Sequence, residues 1–224
     1  SWVKTSKHHS AQEEAEQITN LLIKKNYSLI KHCGNKVPSE WMIAKIFETF
    51  RKAPEIYHAT KLFIEAGDWI VYLLTGNIRK SSCLAANKAL WDSKKGYPDK
   101  DFFFQLDPGF VNIMEKVGND VYDAGHCAGG LTARMAKQTG LPAGTPVSVA
   151  ISDVLAAVPI LKPKTGQSLM IMGTSIRHMA LSETKIDYPI CGCINQTIWK
   201  NSQRNLYCYE AVQAAAGDIY NWFI

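Results

Sequence analysis

Two short apolar runs, each halted by a polar or glycine-containing junction, place the tightest constraint on this chain. Residues 147–151 lead directly into Ser152-Asp153 and then the helical stretch Leu155-Ala156-Ala157-Val158. Leu169-Met170-Ile171-Met172 forms the second run and breaks into Gly173-Thr174-Ser175. Both runs are strand-length, and each ends where a backbone can reverse or start a helix. Strands set among segments of helical period predict an α/β chain, with helices in excess in the first part.

The helical segments have their own punctuation. Ser10-Ala11-Gln12-Glu13 has the form of a capping box, and Ala11, Ala15, Ile18 and Leu22 recur at helical spacing, predicting a helix to about Asn26. Ser39 is placed to cap a second helix with Met42, Ile46 and Phe50 on one face, and Pro54 sits just inside a third. Residues 56–74 are apolar on most faces and stop at Gly76, predicting one or two buried helices. Aromatics, Asp and Pro over 96–108 suggest a loop-rich excursion with short helices. Thr132 is placed to cap a helix that Gly140 closes. A last helix is expected from about Tyr209, with Ala211, Ala214, Ala215, Ile219 and Trp222 as packing positions. Between them, 159–166 reads as a hinge rich in Pro and Lys.

Composition narrows the function classes. At 224 residues and 46% hydrophobic, the chain can bury one sizeable core or two modest ones. A net charge of +5, spread without basic runs, suits phosphorylated ligands and argues against a nucleic-acid binder. Cys33, Cys83, Cys127, Cys191, Cys193 and Cys208 fit no zinc template, and Cys191-Gly192-Cys193 lacks two further ligands at finger-like distance. They read as reduced thiols, and no metal site is expected among them. The longest wholly apolar run, 69–74, is too short to cross a bilayer, and Ser1-Trp2-Val3-Lys4-Thr5 has no signal-peptide form. A reducing, cytoplasmic setting is expected.

Four places could carry chemistry. Asp153 stands where a strand feeds a helix, a position where backbone N–H groups and the helix dipole favour negative charge. A carboxylate there can take a proton from an attacking hydroxyl, or can simply cap the helix. Gly173-Thr174-Ser175 can bring backbone N–H groups and hydroxyls against phosphoryl oxygens, as many ordinary turns could. Lys88 and Glu210 are single charges beside apolar helical positions, and solvated surface residues look the same.

Their order within longer motifs says more. Glu65-Ala-Gly-Asp-Trp-Ile-Val71, Leu74-Thr-Gly-Asn77, Ser81-Ser-Cys83 and Lys88-Ala-Leu-Trp91 follow one another. Then come Gly96-Tyr-Pro98, Ala128-Gly-Gly-Leu-Thr132, Thr139-Gly-Leu141, Ile171-Met-Gly-Thr-Ser175, Tyr209-Glu-Ala211 and Ala216-Gly-Asp-Ile219. Lys7-His-His9 with Ala11-Gln12, and Ser39-Glu-Trp-Met42, add two near the start. Over essentially the whole chain this series resembles the FGGY carbohydrate kinase family, and the Lys-Ala-Leu-Trp run favours its L-ribulose branch over xylulose or glycerol kinases.

The resemblance implies a two-domain, ribonuclease H-like and actin-like ATPase fold, incomplete here at both ends. Residues 1–160 would form the latter part of the sugar-binding domain, and 161–224 the start of the nucleotide-binding domain. Asp153 falls on the family's catalytic base, Lys88 and Glu210 on sugar-contacting positions, and Gly173, Thr174 and Ser175 on its phosphate turn. The implied reaction is ATP-dependent phosphorylation of L-ribulose to ribulose 5-phosphate, with Mg²⁺ accompanying the ATP. The partners would be the sugar and ATP, with no nucleic acid or membrane, and a homodimer is compatible with it. The chain would be an internal piece, with the first phosphate loop and the adenosine-binding glycines lying outside it.

The pattern is not matched everywhere. Leu155 stands where the family has His, Val212 where it has Gly, Asn87 where it has Tyr, and Ile176-Arg177-His178 where it has Thr-Cys-His. A longer, polar stretch, 195–205, replaces a glycine-rich one. Leu155 and Val212 keep open an alternative, a catalytically inactive sugar-binding or interaction protein on the same fold.

Overall fold

The computed structural model describes residues 3–5, 8–161, 164, 166–173, 175–184, 193–200, 205–213 and 216–224. In chain order the helices are α1 (Gln12–Lys24), α2 (Leu29–His32), α3 (Met42–Lys52), α4 (Pro54–Ala59), α5 (Ala66–Thr75) and α6 (Ser82–Lys88). They continue as α7 (Lys100–Leu106), α8 (Ile113–Val117), α9 (Ala133–Thr139), α10 (Asp153–Leu161) and α11 (Ala216–Phe223). The strands are β1 (Lys80–Ser81), β2 (Val121–Tyr122), β3 (Cys127–Gly130) and β4 (Pro146–Ser148). Four more follow, β5 (Ser168–Met172), β6 (Ile176–Ser182), β7 (Cys193–Lys200) and β8 (Asn205–Gln213). The chain divides into two units, one of Ser1–Lys24 with Val37–Ser152, the other of Lys25–Lys36 with Asp153–Ile224.

The first unit is built on an aromatic core. α1 buries Ala15, Ile18 and Leu22, and α3 buries Ile43, Ile46 and Phe47. Phe47 and Phe110 rings lie 4.8 Å apart, and Phe50 meets Tyr57 edge-on at 5.0 Å. Full burial of each such side chain contributes about 1.5–3 kcal/mol. The two predicted serine caps are corrected. Ser10 donates to Glu48 Oε1 at 2.5 Å instead of capping α1, and Ser39 accepts from Gln12 Nε2 at 2.7 Å while α3 starts without a side-chain cap. A nearly buried carboxylate is a stronger acceptor partner than a helix-end N–H is a donor, so it wins the Ser10 hydroxyl.

Around α5 the unit adds two short pairings, β1 parallel to β2 and β3 antiparallel to β4. Pro54 opens α4, Gly76 closes α5 at φ 76, Thr132 accepts from Met135 N–H, and Gly140 closes α9 at φ 76, all as their sequence positions predict. The burial of α5 is overestimated from sequence. Val71 packs with Ala128 and Val149, whereas Trp69, Ile70, Tyr72 and Leu73 are 40–52% exposed. Only one face of the helix meets β3 and β4.

Gly129 shows how tight that contact is. Its φ is 147, and a Cβ there would stand 2.5 Å from Asn77 Nδ2, whose amide donates to the Ala128 carbonyl at 3.0 Å. Gly129→Ala is therefore expected to destabilise the chain by about 2 kcal/mol, through backbone strain and loss of that bond. Chemical denaturation reads this directly, and a midpoint unchanged from wild type would contradict it.

The second unit carries an antiparallel sheet in the order β5-β6-β8-β7. The Leu169–Met172 strand prediction is met by β5. The helix expected from Tyr209 is not: Tyr209, Glu210 and Ala211 lie within β8, and helix resumes only at Ala216. Ala214 and Ala215 lie outside the described residues, while Ile219 and Trp222 are 51% and 84% exposed rather than packed. Ladders on both sides decide the matter, because β8 pairs with β6 and with β7 along its length. Those tertiary hydrogen bonds outweigh the alanines' helical preference, and Tyr207, Tyr209 and Val212 suit a strand.

Candidate active site

In the first unit, Lys88 ends α6. Its ammonium lies 3.9 Å from Glu65 Oε2, and Glu65 is the residue from which α5 starts. At that distance and partial exposure the pair is worth no more than about 1 kcal/mol. The turn that follows is held more firmly. Leu90 takes φ 62 with its side chain only 1% exposed, a conformation that a non-glycine residue keeps only when packing over-determines it. Trp91 N–H reaches back to the Ala85 carbonyl at 3.3 Å, so the Lys-Ala-Leu-Trp motif fixes how the chain leaves Lys88.

Sequence reasoning missed three groups in the same unit. Lys45 Nζ donates to the Thr5 carbonyl at 2.8 Å, and burial, then the charge of Lys88, lower its pKa. Asp68 accepts from Ser81 N–H at 2.9 Å, tying α5 to β1. Burial pushes its carboxyl up to about 6, against the opposing pull of that N–H and of Lys80. Burial likewise brings Lys80 down to about 8 while its ammonium donates to the Phe63 carbonyl at 3.2 Å. A polar residue within a helical apolar run, as Asp68 is, was the available signal.

In the second unit, Asp153 is the first residue of α10 and is exposed, with Val154, Leu155 and Val158 turned into the core behind it. The helix predicted at this junction starts as expected, but the strand predicted over 147–151 is shorter: β4 is Pro146–Ser148, and 149–152 lie outside any strand. Gly173 and Ser175 lie in the turn joining β5 to β6, and Thr174 is outside the described residues. Gly173 N–H donates to the Ser175 carbonyl at 3.0 Å, closing the turn.

Glu210 sits mid-strand in β8, opposite Met179 of β6 and Ile194 of β7, and is 2% exposed. Arg177 Nη1 donates to its Oε1. The sheet thus gathers Gly173, Ser175, Arg177 and Glu210 onto neighbouring strands, with Asp153 elsewhere in the same unit and Lys88 in the other. Among the described residues, no group of three His, Cys, Asp or Glu side chains could hold a metal ion, and no helix is long and apolar enough to cross a membrane.

No protein-family profile matches the chain. A ribulokinase of Bacillus licheniformis is 42% identical over 227 residues, covering 100% of this chain and 40% of its own length. The chain is a relative of the ribulokinases. It spans about 40% of the length of those curated relatives. A xylulose kinase from Brucella ovis superposes with a TM-score of 0.73 at 16% identity, covering 98% of this chain and 43% of that one. A xylulose kinase from Rhodospirillum rubrum gives 0.71 at 22% identity over 92% of this chain and 41% of that one. These likenesses give the fold, that of the actin-like sugar kinases, in agreement with the α/β expectation. Against the ribulokinase pattern, Leu155 is a core residue, 2% exposed, and Arg177 and Val212 are register partners.

Proposed function

We propose that this chain supplies the sugar-contacting and phosphate-contacting parts of a kinase that phosphorylates L-ribulose with ATP to give ribulose 5-phosphate. The observation that carries the reading is 42% identity to a ribulokinase across the whole chain. In this reading Asp153 takes the proton of the attacking sugar hydroxyl, and Lys88 and Glu210 orient the sugar. Phosphoryl transfer depends chiefly on positioning and charge neutralisation, which suits side chains held by a sheet and a helix start. Gly173, Thr174 and Ser175 receive the phosphoryl oxygens. A Cβ at Gly173 would find nothing nearer than the Ser175 carbonyl at 3.8 Å, so an oxygen can approach that backbone. Mg²⁺–ATP, when bound, supplies the phosphoryl group and neutralises its charge. We read 1–160 as the latter part of the sugar-binding domain and 161–224 as the start of the nucleotide-binding domain of a cytoplasmic enzyme.

Coupled measurement of ADP release by the complete protein tests this with L-ribulose, xylulose and glycerol. L-Ribulose is expected to give a kcat/KM at least about tenfold above the others. Preference for xylulose or glycerol would overturn the ribulose assignment, and no ADP release with any of them would overturn the kinase reading. A second reading, sugar binding without phosphotransfer, draws on Leu155, an apolar core residue two positions from Asp153. L-Ribulose binding with no ADP release selects it.

A further inference from the structure

The first turn of α5 meets α6 at three points, and they run in order. Asp68 accepts the N–H of Ser81, the residue from which α6 starts, at 2.9 Å. One residue back, a Cβ on Gly67 would stand 2.9 Å from Ala150 Cβ and 3.2 Å from Leu84 Cδ1, so the bare backbone lets α6 lie close. Glu65, from which α5 starts, takes the ammonium of Lys88 at 3.9 Å. As α5 is followed backward from 68 to 65, α6 runs forward from 81 to 88. The seven residues of α6 thus have one bearing on α5 and carry Lys88 at their end.

The contacts differ in strength. The Lys88 and Glu65 side chains are 34% and 19% exposed, so their pair holds loosely and a sugar hydroxyl can replace it at small cost. Asp68 and Ser81 are 3% and 0% exposed, and a charge-assisted hydrogen bond is roughly twice as strong as a neutral one. α6 begins without a side-chain cap, and the buried hydroxyls of Ser81 and Tyr97 have no hydrogen-bond partner among the described residues. The bond between the Asp68 carboxylate and the Ser81 N–H therefore fixes where α6 starts.

We propose that Asp68 is a positioning residue for sugar binding, holding the start of α6 so that Lys88 is presented at the other end. This deepens the function proposed above and rests on its placement of Lys88 against the sugar. Because the tie draws on the charge of the carboxylate, it has a pH range. Burial brings the Asp68 carboxyl up to about 6. Lys80 on β1 opposes that rise and Glu65 on α5 adds to it. The Tyr97 hydroxyl, pushed up by burial and then by the Asp68 charge, stays neutral. At the far end, Lys45 faces the charges of Lys88 and Glu65. Asp68 is thus charged at neutral pH and loses its charge, and with it the strength of the tie, as pH falls through about 6. A carboxyl raised by folding favours the folded state in acid, so weaker binding there is not unfolding at Asp68.

The test is calorimetric titration of the complete protein with L-ribulose at pH 7.5 and pH 5, with a thermal melt of each sample. Wild type is expected to bind about fivefold more weakly at pH 5, the ratio between a charge-assisted and a neutral hydrogen bond. Asp68→Asn keeps the size and an acceptor but no charge, and should show that weaker binding at both pH values. Lys88→Met should bind weakly at both, and adding Asp68→Asn to it should cost less than about twofold more, because Asp68 acts through Lys88. Binding by Asp68→Asn within twofold of wild type at pH 7.5 overturns the inference, as does a pH dependence that survives in that variant. A loss that multiplies with that of Lys88→Met overturns it too, marking a general effect on the fold. If Asp68→Asn does not fold, wild type and Lys88→Met carry the comparison: an acid loss missing from the first, or retained by the second, overturns the proposal. Binding that Lys88→Met leaves intact overturns the placement of Lys88 against the sugar, and this inference with it. Loss on Lys88→Met with none on Asp68→Asn leaves that placement standing and overturns the Asp68 role alone. A wild type that binds no L-ribulose overturns both.

Discussion

Asp153→Asn in the complete protein is expected to lower kcat with L-ribulose about a thousandfold, while the sugar KM changes less than about threefold. The expectation comes from what the substitution preserves. Asn keeps the size of Asp and remains a good residue for a helix start, so α10 should lose no more than about 0.5 kcal/mol. The core face behind it, Val154, Leu155 and Val158, is untouched. What Asn cannot do is accept the proton of a hydroxyl as that hydroxyl attacks phosphorus. A loss confined to kcat therefore separates a base from a cap. Steady-state rates together with a thermal melt of the same sample decide it: a kcat within tenfold of wild type returns Asp153 to an ordinary helix-start residue.

How much of this was legible in the sequence depended on whether a feature is local. Gly76 and Gly140 close their helices because a left-handed residue is needed at those points, and Thr132 caps because its own hydroxyl reaches Met135 N–H. Each is decided within a few residues, and each was readable. The β5 strand and the junction at Asp153 were readable for the same reason. Ser10 and Ser39 have equally good local forms, yet their hydroxyls went to Glu48 and Gln12, groups 38 and 27 residues away. β8 failed similarly: Tyr207 to Val212 could be strand or helix by pattern, and only the ladders to β6 and β7 chose. That error hid the most informative pair in the second unit. With Glu210 placed on a helix, no alternation set it opposite Met179 and diagonal to Arg177, although both strands carry the period-two signal once recognised.

Glu48→Gln is expected to destabilise the chain by about 2 kcal/mol at pH 7, and the loss should fade in acid. Glu48 is 4% exposed at the middle of α3 and accepts from Lys4 Nζ at 2.5 Å and Ser10 Oγ at 2.5 Å. His8 Nε2 at 3.3 Å and Lys52 Nζ at 3.4 Å complete its surroundings, and Lys52 also faces the fully buried Glu14, to which Arg51 donates. Burial alone would raise the Glu48 carboxyl, but the bonds from Lys4 and Ser10 outweigh it and bring it from the ordinary 4.5 down to about 2. A carboxyl depressed by folding contributes stability that is fully present above its unfolded value and is lost as pH falls through the folded one. That interval corresponds to at most about 3 kcal/mol, and because His8 and Lys52 are 40% and 51% exposed, solvent screening brings the expectation to about 2. In a chain of this size the variant should melt about 5 °C below wild type at pH 7. At pH 3 the unfolded carboxyl is already protonated, and the gap should shrink to less than half. A gap of equal size at both pH values would mean that Glu48 acts through packing alone, and the electrostatic account of how Lys4 and Ser10 are held against α3 would have to be abandoned.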